Sequence, residues 1–332
     1  MARISLPGAC LVAFFLTNPA GIVCQFPSGI PGVSLTPRPK PKGSVDSTRD
    51  PEIHLRVDSS LVLIPVQVTN SRGTSVTSLS RDNFTLFEDG VEQKITHFSQ
   101  EDGPISIGLI FDSSGSMRNK VLQSSEAAAA FLRTANSDDE FFLVEFGDRP
   151  KLAVPFTSDT DAILRRILQN KPLGRTSLLD AILMSLVEMK HARNRRKAIV
   201  ILSDGGDNRS HHTPRQIRNT LLESDLQVYA IGIFDRKPPH MRPAEERNGP
   251  QLLDDLAEQT GGRLYPLENL DDLVSTSARI SRDLRSQYVL GYSPSNQTRD
   301  AKYRIVRLNV ISPDGTPSLQ TYYRRGYYAA SE

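Results

Sequence analysis

The sequence predicts an α/β protein built on a doubly wound, mainly parallel sheet, with a β-rich segment on either side of it along the chain. Between residues 105 and 286, short apolar runs alternate with amphipathic stretches of helical period, the rhythm of strand–helix–strand units. Outside that region the apolar residues alternate with a period of two, as half-buried strands require. The chain has 332 residues, 38% of them hydrophobic and 23% charged, an ordinary globular composition long enough for two domains.

Residues 1–25 read as a signal peptide or an N-terminal anchor. Arg3 supplies the positive charge, and an unbroken apolar run follows from Cys10 to Leu16. The run is too short to span a bilayer comfortably, and Pro19 interrupts it, so export is the better reading. No small-x-small pair stands out between Thr17 and Gln25, and the alternative of an uncleaved anchor stays open. The body is expected outside the cytoplasm, whether periplasmic, held in the cell envelope or secreted, with no membrane insertion beyond the N-terminal segment. The two cysteines, Cys10 and Cys24, both fall in this segment, so no disulfide is expected downstream.

Residues 26–51, with Pro37, Pro39 and Pro41, form a Pro-rich linker that cannot bury a core. An N-terminal β segment follows over 52–103. There Val62, Ile64, Val66 and Val68 oppose Leu61, Leu63, Pro65, Gln67 and Thr69, turn signals fall at 70–73 and at Glu88-Asp89-Gly90, and 92–98 is strand-like. The α/β domain is expected over 104–286, with strands at 105–111, 140–146, 197–202 and 226–233. Its helices are expected at 121–134, 160–170, 178–191, 215–224, 252–260 and 271–285. A C-terminal β segment, 287–332, carries strands at 288–292, 303–310 and 319–323, with a turn at Pro313-Asp314-Gly315. Flanks this short are marginal alone without disulfides, so the expectation is that they fold together as one β-sandwich with the α/β domain inserted between them.

Charge excludes two partner classes. With 40 basic against 38 acidic residues the net charge is +2, which gives no global field favouring nucleic acid or an anionic membrane. The basic stretch 193–197 follows a helix, where cations cap carbonyls, and no aromatic or polar base readers accompany it. Arg324-Arg325 among Tyr322, Tyr323, Tyr327 and Tyr328 reads as a strand with amphipathic tyrosines.

The chemistry concentrates where the first α/β strand ends, in Phe111-Asp112-Ser113-Ser114-Gly115-Ser116-Met117. In an open α/β sheet, ligands gather outside the carboxyl ends of the strands. Asp112, Ser114 and Ser116 offer one carboxylate and two hydroxyls from a single loop, hard oxygen donors suited to Mg²⁺ and related cations. Two further loops are expected to converge on them. Gly174-Arg175-Thr176-Ser177-Leu178-Leu179-Asp180 opens a helix, with Ser177 and Asp180 as a capping-box-like pair that leaves Thr176 free. Ser203-Asp204-Gly205-Gly206-Asp207 follows a strand and puts Asp204 at another carboxyl end, with Asp207 a turn residue or an outer support.

At these residues the chain resembles the von Willebrand factor type A (VWA) family, a Rossmann-like fold in which a DxSxS loop, a later Thr and a later Asp form a metal-ion-dependent adhesion site (MIDAS). The resemblance implies Asp112, Ser114, Ser116, Thr176 and Asp204 as metal-site residues. Arg175 departs from the family's usual Gly-Gly-Thr at this loop. The stretches 82–90, 203–208, 261–265, 287–294 and 324–328 together look like the exported, VWA-related proteins of Acidobacteria, a similarity running from about Ile53 to Ala329.

Catalysis lacks its parts. A haloacid-dehalogenase-type phosphotransferase needs a carboxylate two residues after its Asp, where Ser114 stands; no GxSxG elbow and no GxxxxGK loop occurs. His211 and His212 pair with no Cys or spaced carboxylate in a metal-binding pattern and read as a helix-entry loop. The expected function is a metal-dependent protein-binding module, not an enzyme. Mg²⁺ is the expected ion, with Mn²⁺ or Ca²⁺ as alternatives, and the expected partner is a protein presenting Asp or Glu. The alternatives are a structural envelope or secreted scaffold in which the cation only stabilises the fold, and an accessory subunit of a metal- or cofactor-handling complex.

Overall fold

A computed structural model of the chain describes residues 61–331, apart from 235–238, 242–243, 268, 270–271 and 313–318. The expected export signal, linker, residues 52–60 and the 313–315 turn lie outside the described residues. Among the described residues, no helix is long and apolar enough to cross a membrane.

In chain order, β1 (Val62–Thr69), β2 (Phe84–Glu88), β3 (Val91–Gln93) and β4 (His97–Glu101) precede the α/β region. Then come β5 (Ile105–Asp112), α1 (Val121–Leu132), β6 (Glu140–Phe146), β7 (Pro150–Thr157), α2 (Thr160–Leu168) and α3 (Leu178–Glu188). The region continues with β8 (Arg196–Ser203), α4 (Pro214–Glu223), β9 (Gln227–Gly232), α5 (Ala244–Arg247), α6 (Gly249–Gln259), β10 (Leu264–Pro266) and α7 (Leu273–Arg285). It gives way to β11 (Gln287–Tyr292), β12 (Tyr303–Val310), β13 (Gln320–Tyr323) and β14 (Gly326–Tyr328).

The central sheet has the order β10-β9-β8-β5-β6-β7 and is parallel throughout except for β7, which pairs antiparallel with β6. Every residue of β5, β6 and β9 is buried, because helices cover both faces. On one face Ile107, Leu109 and Phe111 pack with Phe131 of α1, Ile163 and Ile167 of α2, and Ile280 and Leu284 of α7. On the other face Ile110, Val144 and Ile201 pack with Leu178 and Ile182 of α3, Ile217 of α4, and Leu253 and Leu256 of α6. The chain therefore leaves β5 toward one face and leaves its neighbour β8 toward the opposite face. The two departing loops part, and a crevice opens over the carboxyl ends of β5 and β8.

Outside the α/β region, two antiparallel four-stranded sheets share one apolar core. Their orders are β13-β1-β11-β4 and β14-β12-β2-β3, so each sheet joins strands from before and after the α/β region. Ile64, Val66, Leu86, Tyr288, Leu290, Tyr292, Val306 and Leu308 meet in this core. Its junction with the central sheet is polar and buried: the Gln287 side-chain amide donates to Gln227 Oε1 (2.7 Å), the Tyr229 hydroxyl (3.0 Å) and the Asp283 carbonyl (2.9 Å). Asp283 in turn accepts from the Tyr265 hydroxyl and, at 3.3 Å, from Ser75 Oγ. Burial pushes its carboxyl up to about 6, against the lowering influence of Arg263.

The observed elements depart from the expected ones chiefly in three places, and the short β10 and α5 were not expected either. The strand-like run 92–98 splits into β3 and β4, which belong to different sheets; its alternation continues across the switch, so period alone cannot reveal it. β7 was not expected, since Pro150 and Pro155 interrupt the strand pattern. It lies at the sheet edge, where a missing donor leaves no ladder partner unpaired. The tyrosine-rich C-terminal run is broken at Arg324-Arg325 into β13 and β14, again in different sheets.

Candidate metal centre

Asp112 is the last residue of β5 and is 1% exposed. Its Oδ1 accepts from the Ser114 N–H at 2.9 Å, an Asx turn that folds the loop back over the strand end. Its Oδ2 accepts from Ser203 Oγ at 2.6 Å. The Ser114 and Ser116 hydroxyl oxygens lie 3.0 Å apart. Asp204 follows the last residue of β8 and is likewise 1% exposed; its Oδ1 accepts from the Gly206 N–H (3.1 Å) and its Oδ2 from the Lys120 ammonium (2.7 Å). Asp112, Ser114, Ser116 and Asp204 thus gather in one crevice.

Thr176, 4% exposed, sits on the third loop. Backbone bonds lace that loop to the first: Gly115 N–H donates to the Gly174 carbonyl (3.0 Å) and Leu173 N–H to the Ser113 carbonyl (2.9 Å). Thr176 is also tied to the Asp204 loop, since its N–H donates to Asn208 Oδ1 and its carbonyl accepts from the Asn208 and Arg209 N–H groups. All three expected loops therefore touch.

The Asp204 loop packs backbone to backbone against the start of α6. Gly205 has φ +79°, and a Cβ added there would lie 2.4 Å from the Gly249 carbonyl oxygen. A Cβ on Gly249 would lie 2.1 Å from the Asp204 carbonyl oxygen. Gly249→Ala is therefore expected to destabilise the protein by about 1–3 kcal/mol, the usual range for overpacking, and to weaken divalent-cation binding by displacing Asp204. Thermal melting together with a magnesium titration checks both.

The electrostatics call for a cation. Burial first, and the Asp204 charge second, raise the Asp112 carboxyl to about 7 against hydrogen bonds from Ser114 and Ser203 that lower it. A further positive charge here would offset the Asp112 carboxylate as the Lys120 ammonium, 2.7 Å from Asp204 Oδ2, already offsets Asp204. The donor chemistry fits a small hard ion. Ligand oxygens at about 2.0–2.1 Å from Mg²⁺ stand roughly 2.9 Å apart along an octahedral edge, which is close to the observed hydroxyl pair. Among the described residues no group of three or more His, Cys, Asp or Glu is placed to hold a metal, so such a centre depends on the hydroxyls.

Several supporting roles were not read from the sequence. Ser203, besides bonding Asp112, accepts from the Gly205 N–H at 2.9 Å. Lys120 enters from the turn before α1. The expected Ser177–Asp180 capping box is not formed: Ser177 Oγ donates to the Gly147 carbonyl at 2.9 Å. The start of α3 is instead capped from a distant loop, by Asp207 Oδ2 accepting from the Leu179 N–H and Ser210 Oγ accepting from the Asp180 N–H. Only the fold brings those residues together.

Asp180 is occupied elsewhere, for it accepts from the backbone N–H groups of His211 and His212, and their Nδ1 atoms face its oxygens at 2.9 and 2.7 Å. Burial raises its pKa, but the hydrogen bonds from both histidines outweigh this and hold it at about 2. A depressed folded pKa adds stability that is present above the unfolded value of about 3.9 and is lost as pH falls through the folded value. Between about pH 4 and 2, Asp180→Asn is therefore expected to lose less stability than the parent protein, as urea titrations at stepped pH would reveal.

Residues 107–206 match the family model of the von Willebrand factor type A domain, a span that includes Asp112, Ser114, Ser116, Thr176 and Asp204. The chain carries a VWA domain. An uncharacterized protein of Borreliella burgdorferi is 24% identical over 199 residues, 54% of this chain and 57% of that one, so the chain spans little more than half the length of this curated relative. Among solved structures, the conserved hypothetical protein BatB from Bacteroides thetaiotaomicron aligns with TM-score 0.45 and 15% identity over 55% of this chain and 100% of that one. A von Willebrand factor type A structure from Catenulispora acidiphila aligns with TM-score 0.46 and 12% identity over 74% of this chain and 76% of that one. Proximal thread matrix protein 1 from the mussel byssus, solved with a zinc-occupied MIDAS motif, aligns with TM-score 0.45 and 17% identity over 59% of this chain and 49% of that one.

Proposed function

We propose that the protein is an exported, metal-dependent protein-binding module rather than an enzyme, in which Asp112, Ser114, Ser116, Thr176 and Asp204 hold Mg²⁺. Mn²⁺ and Ca²⁺ are alternatives that share the same oxygen chemistry. The observation that carries this reading is the meeting of the Asp112 and Asp204 carboxylates with a hydroxyl pair 3.0 Å apart at the crevice between β5 and β8. A cation held largely by neutral hydroxyls retains much of its positive charge, and a six-coordinate shell not filled by the protein leaves a position for an outside oxygen. An Asp or Glu of a partner protein supplies such an oxygen with a matching negative charge. The VWA match over 107–206 supports the assignment.

The protein's own residues supply the frame. Ser203 orients Asp112, the Gly206 N–H orients Asp204, and the bonds from the Gly115 N–H to the Gly174 carbonyl and from the Thr176 N–H to Asn208 Oδ1 hold the loops at fixed spacing. The test is capture of proteins from the envelope of the producing cell, in magnesium and in chelator, compared with Asp112→Ala. Capture that is lost in both chelator and variant supports the module. A melting temperature that falls in chelator while capture stays unchanged would instead favour a scaffold stabilised by the ion.

A further inference from the structure

Lys120 belongs to no expected ligand set, yet its ammonium lies inside the centre. It is 2.7 Å from Asp204 Oδ2 and 3.7 Å from Glu246 Oε2, with its side chain 10% exposed and those of its partners 2% and 14% exposed. Its backbone is pinned directly after the Asp112 loop: its N–H donates to the Met117 carbonyl and its own carbonyl accepts from the Ser124 N–H, each at 2.8 Å. The same short segment that presents Ser114 and Ser116 therefore also fixes where this ammonium stands.

We propose that Lys120 is the built-in counter-cation of the centre and tunes its metal affinity, neutralising Asp204 when no metal is bound and competing with a divalent ion for that carboxylate. The inference rests on the metal-site reading above and concerns a residue that reading does not use. Two carboxylates, Asp204 and Glu246, face this one ammonium, so Asp204 does not hold its charge alone. An ammonium has only donors and no lone pair to offer a metal, so beside a bound cation it contributes repulsion alone. Any ion that draws on Asp204 must weaken a buried ion pair made at hydrogen-bond distance, and that work is subtracted from its affinity. Glu246, already within 4 Å of the ammonium, is the second carboxylate toward which Lys120 shifts as its hold on Asp204 loosens. The arrangement keeps the loops together without metal while limiting how tightly metal is held.

The test is calorimetric titration of the full chain with Mg²⁺ and with Mn²⁺, together with melting in chelator, for the parent protein, Lys120→Met, Lys120→Arg, Glu246→Gln and Asp112→Ala. Lys120→Met is expected to bind either ion at least about 10-fold more tightly, equivalent to about 1.4 kcal/mol, and to melt below the parent in chelator. Lys120→Arg, which keeps the charge, should stay within about 3-fold of the parent on the same scale. Glu246→Gln, which removes the second acceptor, should bind metal more weakly. If the parent binds metal and Asp112→Ala does not, while Lys120→Met binds no more tightly than the parent, the competition is refuted and the metal site stands. If neither the parent nor Lys120→Met binds either ion, the metal site itself fails and takes this inference with it. Should Lys120→Met not fold, a Glu246→Gln protein with parental affinity would refute the competition.

Discussion

Asp112→Ala is expected to lower magnesium affinity by at least about 100-fold, since even residues that only support a ligand typically contribute 10–100-fold. Asp112 accepts from the Ser114 N–H and from Ser203 Oγ, so its carboxylate is the hub through which the first loop meets the Asp204 loop. Ser203→Ala, which leaves every proposed ligand in place, is expected to fall in that 10–100-fold range. Isothermal titration with magnesium orders the three proteins, and equal affinities across them would remove Asp112 from the centre. Melting gives an independent reading. At a magnesium concentration 100 times the dissociation constant the parent gains about 2.7 kcal/mol, and the Asp112→Ala protein should gain almost nothing. Circular dichroism of the variant should remain that of the folded parent, because the strand bearing Asp112 is held by β6 and β8 along its length.

Ending the chain at Ser286 is expected to unfold the β-rich part of the N-terminal flank while the central sheet persists. β1 would lose its partners β11 and β13, and β2 would lose β12. Ile64, Val66 and Leu86, each fully buried, would face water together, at about 1.5–3 kcal/mol for each side chain exposed. Hydrogen exchange should show loss of protection over 62–69 and 84–88 with retained protection in β5, β6 and β8. Protection of β1 and β2 in the truncated chain would mean that the flanks fold separately, contrary to the one sandwich that we propose they form around an inserted VWA domain.

The parallel sheet was legible because its strands are apolar at nearly every position and its helices carry apolar residues on one face, patterns that depend only on local sequence. Asp112 and Asp204 were legible for a related reason: each stands where such an apolar run ends. β7 was not, because prolines break its pattern and its edge position tolerates them. The cap of α3 was misread because Ser177 and Asp180 have the right spacing, but Gly147 takes the serine and His211 and His212 take the aspartate.

By itself the sequence determined the strand–helix rhythm, the β-rich flanks and the residue types of the candidate centre, since periodicity and side-chain chemistry are properties of neighbours along the chain. Only the tertiary structure decided that β5 and β8 lie side by side with their loops parting to opposite faces. It alone set Ser203 against Asp112, Lys120 against Asp204, and β1 between β11 and β13. These pairings join residues far apart in sequence, and what fixes them is the burial of both faces of a sheet and the need of each buried charge for a partner, which no local window contains.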